Sequence, residues 1–178
     1  MSCTQTASVA EHIATALSRP LPAEVEEKSK LHLLDTLAAI LSGGRLPAGR
    51  AGARLAQRLG GPKEALVIAN GLRVGAPAAA LANAMAAHAD ETDDSHVGGR
   101  FHPGCAVVPA ALAVAETQGA GGSALLVALA TAAGERPRKS VGQPDSAWLA
   151  SIPEIVVASK LPRFCPFLIQ SPVSARLA

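Results

Sequence analysis

The apolar positions of residues 1–135 recur at helical spacing and are punctuated by glycine and proline pairs. Leu21-Pro22-Ala23-Glu24 places proline and acid where a first turn wants them, and Val25 through Leu41 follows with Leu33, Leu34, Leu37 and Leu41 bunched together. The pattern predicts one long helix there, stopped by Gly43-Gly44. A shorter helix is predicted over 47–59, with Ala51, Leu55 and Leu59 on one face and Gly60-Gly61 at its end. Leu66-Val67-Ile68 and Leu72-Arg73-Val74 flank Asn70-Gly71, which suits a turn with positive φ, so a small hairpin is expected. Further helices are expected from Pro77 to Ala89, over 106–117 and over 123–133. Alanine on so many faces lets helix axes approach closely, which favours a packed all-α domain over a sheet.

Composition divides the chain at Glu135. Residues 1–135 hold ten basic and twelve acidic residues, a net of −2, while residues 136–178 hold six basic and two acidic residues, a net of +4. The formal charge of +2 is therefore a sum over two unlike pieces. The second piece also carries Pro137, Pro144, Pro153, Pro162, Pro166 and Pro172, spaced too closely for an ordinary helix, and reads as an irregular tail with a strand candidate at Ile155-Val156-Val157. So small a net charge with few aromatics argues against nucleic acid as a partner. Cys3, Cys105 and Cys165 form no C-x-x-C pair, which fits a reducing, cytoplasmic setting. The N-terminus lacks the basic and apolar regions of a signal peptide, and no apolar run reaches the ~20 residues of a membrane span.

The distinctive chemistry lies between His88 and Gly104. Asp90, Glu91, Asp93 and Asp94 are interleaved with His88, His96 and His102, where an alanine-rich helix gives way to a glycine-containing loop. Carboxylates so close repel one another and favour holding a proton, and histidine titrates near neutrality, so the stretch suits proton transfer. An isolated acidic run is more often a solvated helix end. Pro103 restrains His102 just ahead of the helix through Val107-Val108-Pro109, and the free N–H groups of that helix start favour an anion. Asp90-Glu91-Thr92-Asp93-Asp94 also loosely resembles the magnesium motif of all-α isoprenyl diphosphate synthases, but the second Asp-rich cluster such a site needs is missing from the sequence.

As an ordered series, Asn83-Ala84-Met85-Ala86-Ala87-His88-Ala89-Asp90-Glu91-Thr92-Asp93-Asp94-Ser95-His96, His102-Pro103-Gly104 and Val108-Pro109-Ala110-Ala111 resemble the N-terminal signature of the MmgE/PrpD family. The likeness extends back to Leu33-Leu34-Asp35-Thr36-Leu37 and forward to Gly134-Glu135. It implies an incomplete helical domain over 1–135, followed by a tail of unknown structure over 136–178. It further implies a metal-independent lyase of the 2-methylcitrate dehydratase, cis-aconitate decarboxylase and iminodisuccinate epimerase group. Such enzymes use no cofactor, act on small polycarboxylates by acid–base proton transfer, and usually form homodimers. Carried over by position, the family's acids fall on Glu91, Asp93 and Asp94, its hydroxyl on Ser95 and its histidine on His102. Glu91 stands where the family has aspartate, so Asp90 beside it is an equal candidate. His96 and Arg100 are expected to hold a substrate carboxylate. The likeness ends at Glu135, and the family's lid domain and later histidine and lysines have no counterpart, so a truncated or frameshifted reading frame is expected. The competing expectation is an inactive fragment or helical association module.

Overall fold

The computed structural model describes residues 4–16, 18–96 and 100–132. Along them run α1 (Thr4–Ala16), α2 (Ala23–Gly43), α3 (Pro47–Leu59), β1 (Ala65–Val67), β2 (Leu72–Val74), α4 (Ala76–Ala87), α5 (Gly104–Gln118) and α6 (Gly122–Ala132). The expected helical domain with a small hairpin is what forms. The tail and its strand candidate at Ile155-Val156-Val157 lie outside the described residues. Helix α1 was not anticipated, because Thr4–Ala16 is rich in small residues and gives little apolar periodicity.

Local chemistry sets most boundaries. Pro47 opens α3, where a missing N–H loses nothing, and Gly60 closes it at φ 63°. The hairpin pairs Leu66 with Arg73 in antiparallel register. Its first strand lies one residue earlier than the sequence pattern suggests, because the Ile68 N–H leaves the ladder and donates to Asn83 Oδ1 at 2.9 Å. Asn83 Nδ2 donates in turn to the Leu66 carbonyl at 2.8 Å, so a buried amide on α4 pins the hairpin to the helix.

The core is built from small side chains. One cluster joins Ala56, Ala65, Val67, Val74, Ala78, Ala79, Ala82 and Ala113, and a second joins Ile40, Ala86 and Ala87. Gly43 lies so close to the Ala86 carbonyl that a Cβ there would collide with it, and a Cβ at Gly52 would stand in a tight contact 3.1 Å from Met85. Helices α2, α3 and α4 meet through these residues.

This overturns the expected apolar faces. In α2 the buried side is Val25, Ser29, Thr36, Ala39, Ile40 and Gly43, while Leu34 and Leu41 are more than half exposed. In α3 Gly49, Gly52 and Ala56 are buried, and Leu59 is exposed. Close contact between helix axes selects small residues for the inner face and leaves Leu34, Leu41 and Leu59 outside, while Leu37 packs half-buried against the Ile40 cluster. No helix among the described residues is long and apolar enough to cross a membrane.

Candidate functional site

Helix α4 ends two residues sooner than its sequence pattern implies. The His88 N–H closes the last turn on the Ala84 carbonyl at 3.2 Å, and the chain then leaves the helix. At the far end of the loop α5 begins at Gly104, two residues earlier than expected. The reason is Asp94, whose Oδ1 accepts the Gly104 N–H at 2.8 Å. The helix start, expected to favour an anion, thus takes the chain's own carboxylate at its first N–H.

Asp93 and Asp94 are adjacent and both 6% exposed, yet they serve different neighbourhoods. The Asp93 side chain is fully buried and lies 3.2 Å from His88 Nδ1 and 3.3 Å from His102 Nδ1. The two rings are tilted against each other with centroids 4.8 Å apart. Half of the His88 side chain and a third of the His102 side chain reach solvent. A tautomer with its proton on Nδ1, facing the carboxylate, leaves the Nε2 lone pair as an oriented base; protonation at Nε2 makes the same ring an acid.

Cys105 completes this side. Its Sγ, a carboxylate oxygen of Asp93 and a ring nitrogen of His88 all lie within 4.8 Å of one another. Burial, assisted by the charge of Asp93, pushes the thiol up to about 11. The sulfur is therefore protonated at neutral pH and is a poor nucleophile.

Asp94 is held from another direction. His32 Nδ1, on α2, lies 3.4 Å from its Oδ2. Thr36, one turn further along α2, presents toward the same point beneath Gly104 a buried hydroxyl that has no hydrogen-bond partner among the described residues. Asp90 is bound elsewhere, accepting from Ser42 at 2.6 Å and from Thr92 at 2.7 Å. Glu91 is exposed and takes a left-handed backbone at φ 53°. Asp90, Asp93 and Asp94 thus take separate partners, while Glu91 stands exposed.

Ser95, His96 and Arg100 stand exposed on the loop. His96 exchanges a backbone bridge with Phe101 and stacks on its ring at 5.2 Å. The residues brought together at the centre are thus Asp93 and His102. His88, His32 and Cys105 were not singled out as site residues. His88 and Cys105 are adjacent in sequence to the motif, whereas His32 is 62 positions from Asp94 and carried no local signal.

The fold and its loop define a helical module that presents a buried carboxylate to two histidines. Comparison with known proteins gives this class its family: the description "MmgE/PrpD N-terminal domain" matches residues 7–135. The chain belongs to the MmgE/PrpD family. It is 29% identical over 111 residues to a cis-aconitate decarboxylase of Aspergillus terreus (strain NIH 2624 / FGSC A1156), covering 62% of this chain and 23% of that protein. A second Aspergillus terreus cis-aconitate decarboxylase is 31% identical over 96 residues, covering 54% of this chain and 20% of that protein. The chain thus spans less than a quarter of the length of the curated relatives it matches. No solved structure matches it.

Proposed function

We propose that this chain carries the acid–base half of a lyase site acting on small polycarboxylates such as 2-methylcitrate or cis-aconitate. The observation that carries the reading is the buried Asp93 carboxylate beside the Nδ1 atoms of His88 and His102. In this reading His102 moves a proton at carbon next to a substrate carboxylate, with Asp93 fixing its ring and stabilising its charged form. Ser95, His96 and Arg100 would bind substrate carboxylates from the exposed loop, and Asp90 or Glu91 would supply a further acid. The similarity to cis-aconitate decarboxylases supports this substrate class.

The test is turnover of cis-aconitate, 2-methylcitrate and citrate by the purified chain, followed by proton NMR of the products. Turnover is expected to fall about 100-fold in His102→Gln and in Asp93→Asn, the usual scale of a lost proton-transfer group. Absence of turnover in the unmodified chain would remove the activity and favour a second reading, a non-catalytic association module. That reading has its own observation: Leu31, Leu34 and Leu41 stand exposed along α2. The same surface supports a homodimer, which sedimentation velocity would detect.

A further inference from the structure

We propose that His88, Asp93, His102 and Cys105 form a binding site for a thiophilic divalent cation, with zinc as the fitting ion. The four side chains come from the end of α4, the loop and the first turn of α5; His88, Asp93 and Cys105 offer ligand atoms within 4.8 Å of one another, and His102 adjoins Asp93. Asp93 Oδ1 lies 3.2 Å from His88 Nδ1 and 3.3 Å from His102 Nδ1. Tetrahedral zinc with ligand bonds of about 2.0–2.3 Å holds its donors roughly 3.3–3.6 Å apart, so each ring nitrogen stands close to ligand spacing from the Asp93 oxygen. The Cys105 sulfur lies within the 4.8 Å envelope of His88 and Asp93 and needs to close by roughly 1 Å to reach that spacing.

A second observation points the same way. His102 Nδ1 is buried and makes no hydrogen bond among the described residues; its contact there is the ion-pair distance of 3.3 Å to the Asp93 oxygen. A metal ion held by Asp93 would give this ring nitrogen a direct ligand bond. The donor set of two imidazoles, one carboxylate and one thiolate selects zinc or cobalt over magnesium or calcium, which take oxygen ligands. On binding, the Cys105 S–H bond breaks, its proton passes to buffer and the thiolate sulfur bonds the metal.

The ion would occupy the same atoms that the acid–base reading uses, so it would silence proton transfer. That consequence rests on the proposed function; the binding does not, and it is tested without any assay of activity. The full chain with Cys3→Ser and Cys165→Ser removes the other thiols. Cobalt(II) added to this protein is expected to give a thiolate-to-cobalt charge-transfer band and intense tetrahedral visible bands. Zinc should displace both, and excess magnesium neither. Cys105→Ser in the same background should abolish the charge-transfer band, and His88→Gln should weaken zinc binding at least tenfold by calorimetry. Circular dichroism establishes that each variant is folded, and Cys105→Ala replaces Cys105→Ser if the latter is not. A folded Cys3→Ser, Cys165→Ser protein without the charge-transfer band would overturn the proposal. Persistence of the band without Cys105, or unchanged zinc affinity in His88→Gln, would do the same.

Discussion

Two neighbouring carboxylates divide the loop between α4 and α5 into a side that can react and a side that is locked. Asp93 meets two partly exposed imidazoles and a thiol, groups whose protons can move. Asp94 meets a backbone N–H, a largely buried histidine on α2 and the space beneath a glycine. Burial is equal on the two sides, so burial alone does not mark a functional group. What distinguishes them is whether the partner is an ionisable ring with access to water or a fixed backbone donor. The locked side also serves the reactive one, because pinning Gly104 places His102 two residues earlier in the chain.

The largest expected effect lies on the locked side. A Cβ at position 104 would stand 2.6 Å from both Asp94 Oδ1 and Thr36 Oγ1. Neither neighbour is the free end of a flexible chain, since Asp94 is bonded to this very backbone and Thr36 is wholly buried. Gly104→Ala should therefore destabilise by about 3 kcal/mol, the upper range of overpacking. The melting temperature of the full chain would drop by about 10 °C for a domain of this size. An unchanged melting temperature would show that the Asp94 side has slack and would erase the contrast between the two sides.

The next effect lies on the reactive side and depends on pH. Cys105 is raised from 9.0 to about 11, so its neutral thiol is favoured by the fold. At pH 8 the thiolate fraction is about 100-fold below that of an ordinary thiol, and alkylation by iodoacetamide should be slower by about that factor. Peptide mass spectrometry of the full chain over time checks this. The linked stability has a definite sign: a folded pKa above the unfolded one means a contribution fully present below about pH 9 and lost as pH rises toward 11. Melting curves of wild type should fall across that window more steeply than those of Cys105→Ser. Alkylation at the rate of a free cysteine would place the sulfur in water instead of against Asp93.

The helices and hairpin were legible because Pro47, Gly60, Asn70-Gly71 and Gly43-Gly44 are local signals that act where they stand. The inner faces were not. A leucine count takes Leu34 and Leu41 as core, but the packing of α2 on α4 is decided by how near Gly43 can come to Ala86, which no single-segment pattern contains. The loop was legible as chemistry and not as geometry. Its clustered acids and histidines stood out in the sequence, and the motif pointed to Asp93 and His102, which the fold brings within 3.3 Å of each other. That Asp94 caps α5, and that His32 stands opposite it, depends on α2 lying against the loop. The extra reach of α5 to Gly104 was hidden for the same reason.

The smallest effect concerns the acid that the motif alignment favours. Glu91 is exposed, and no hydrogen bond or ion pair of its side chain exists among the described residues. Its φ of 53° is a left-handed conformation, which costs an L-residue with a long side chain about 1 kcal/mol. Asparagine enters this region more readily, because its short polar side chain bonds to nearby backbone. Glu91→Asn should therefore raise stability by about 0.5 kcal/mol, or about 2 °C in melting temperature. If Asp93 and the histidines carry the proton chemistry, turnover of the polycarboxylate should change less than twofold in this variant. A gain in stability accompanied by a tenfold or greater loss of turnover would instead mean that the strain is held for function. Glu91 would then belong with Asp93 on the reactive side of the loop, and Asp90, already bound by Ser42 and Thr92, would be a structural acid.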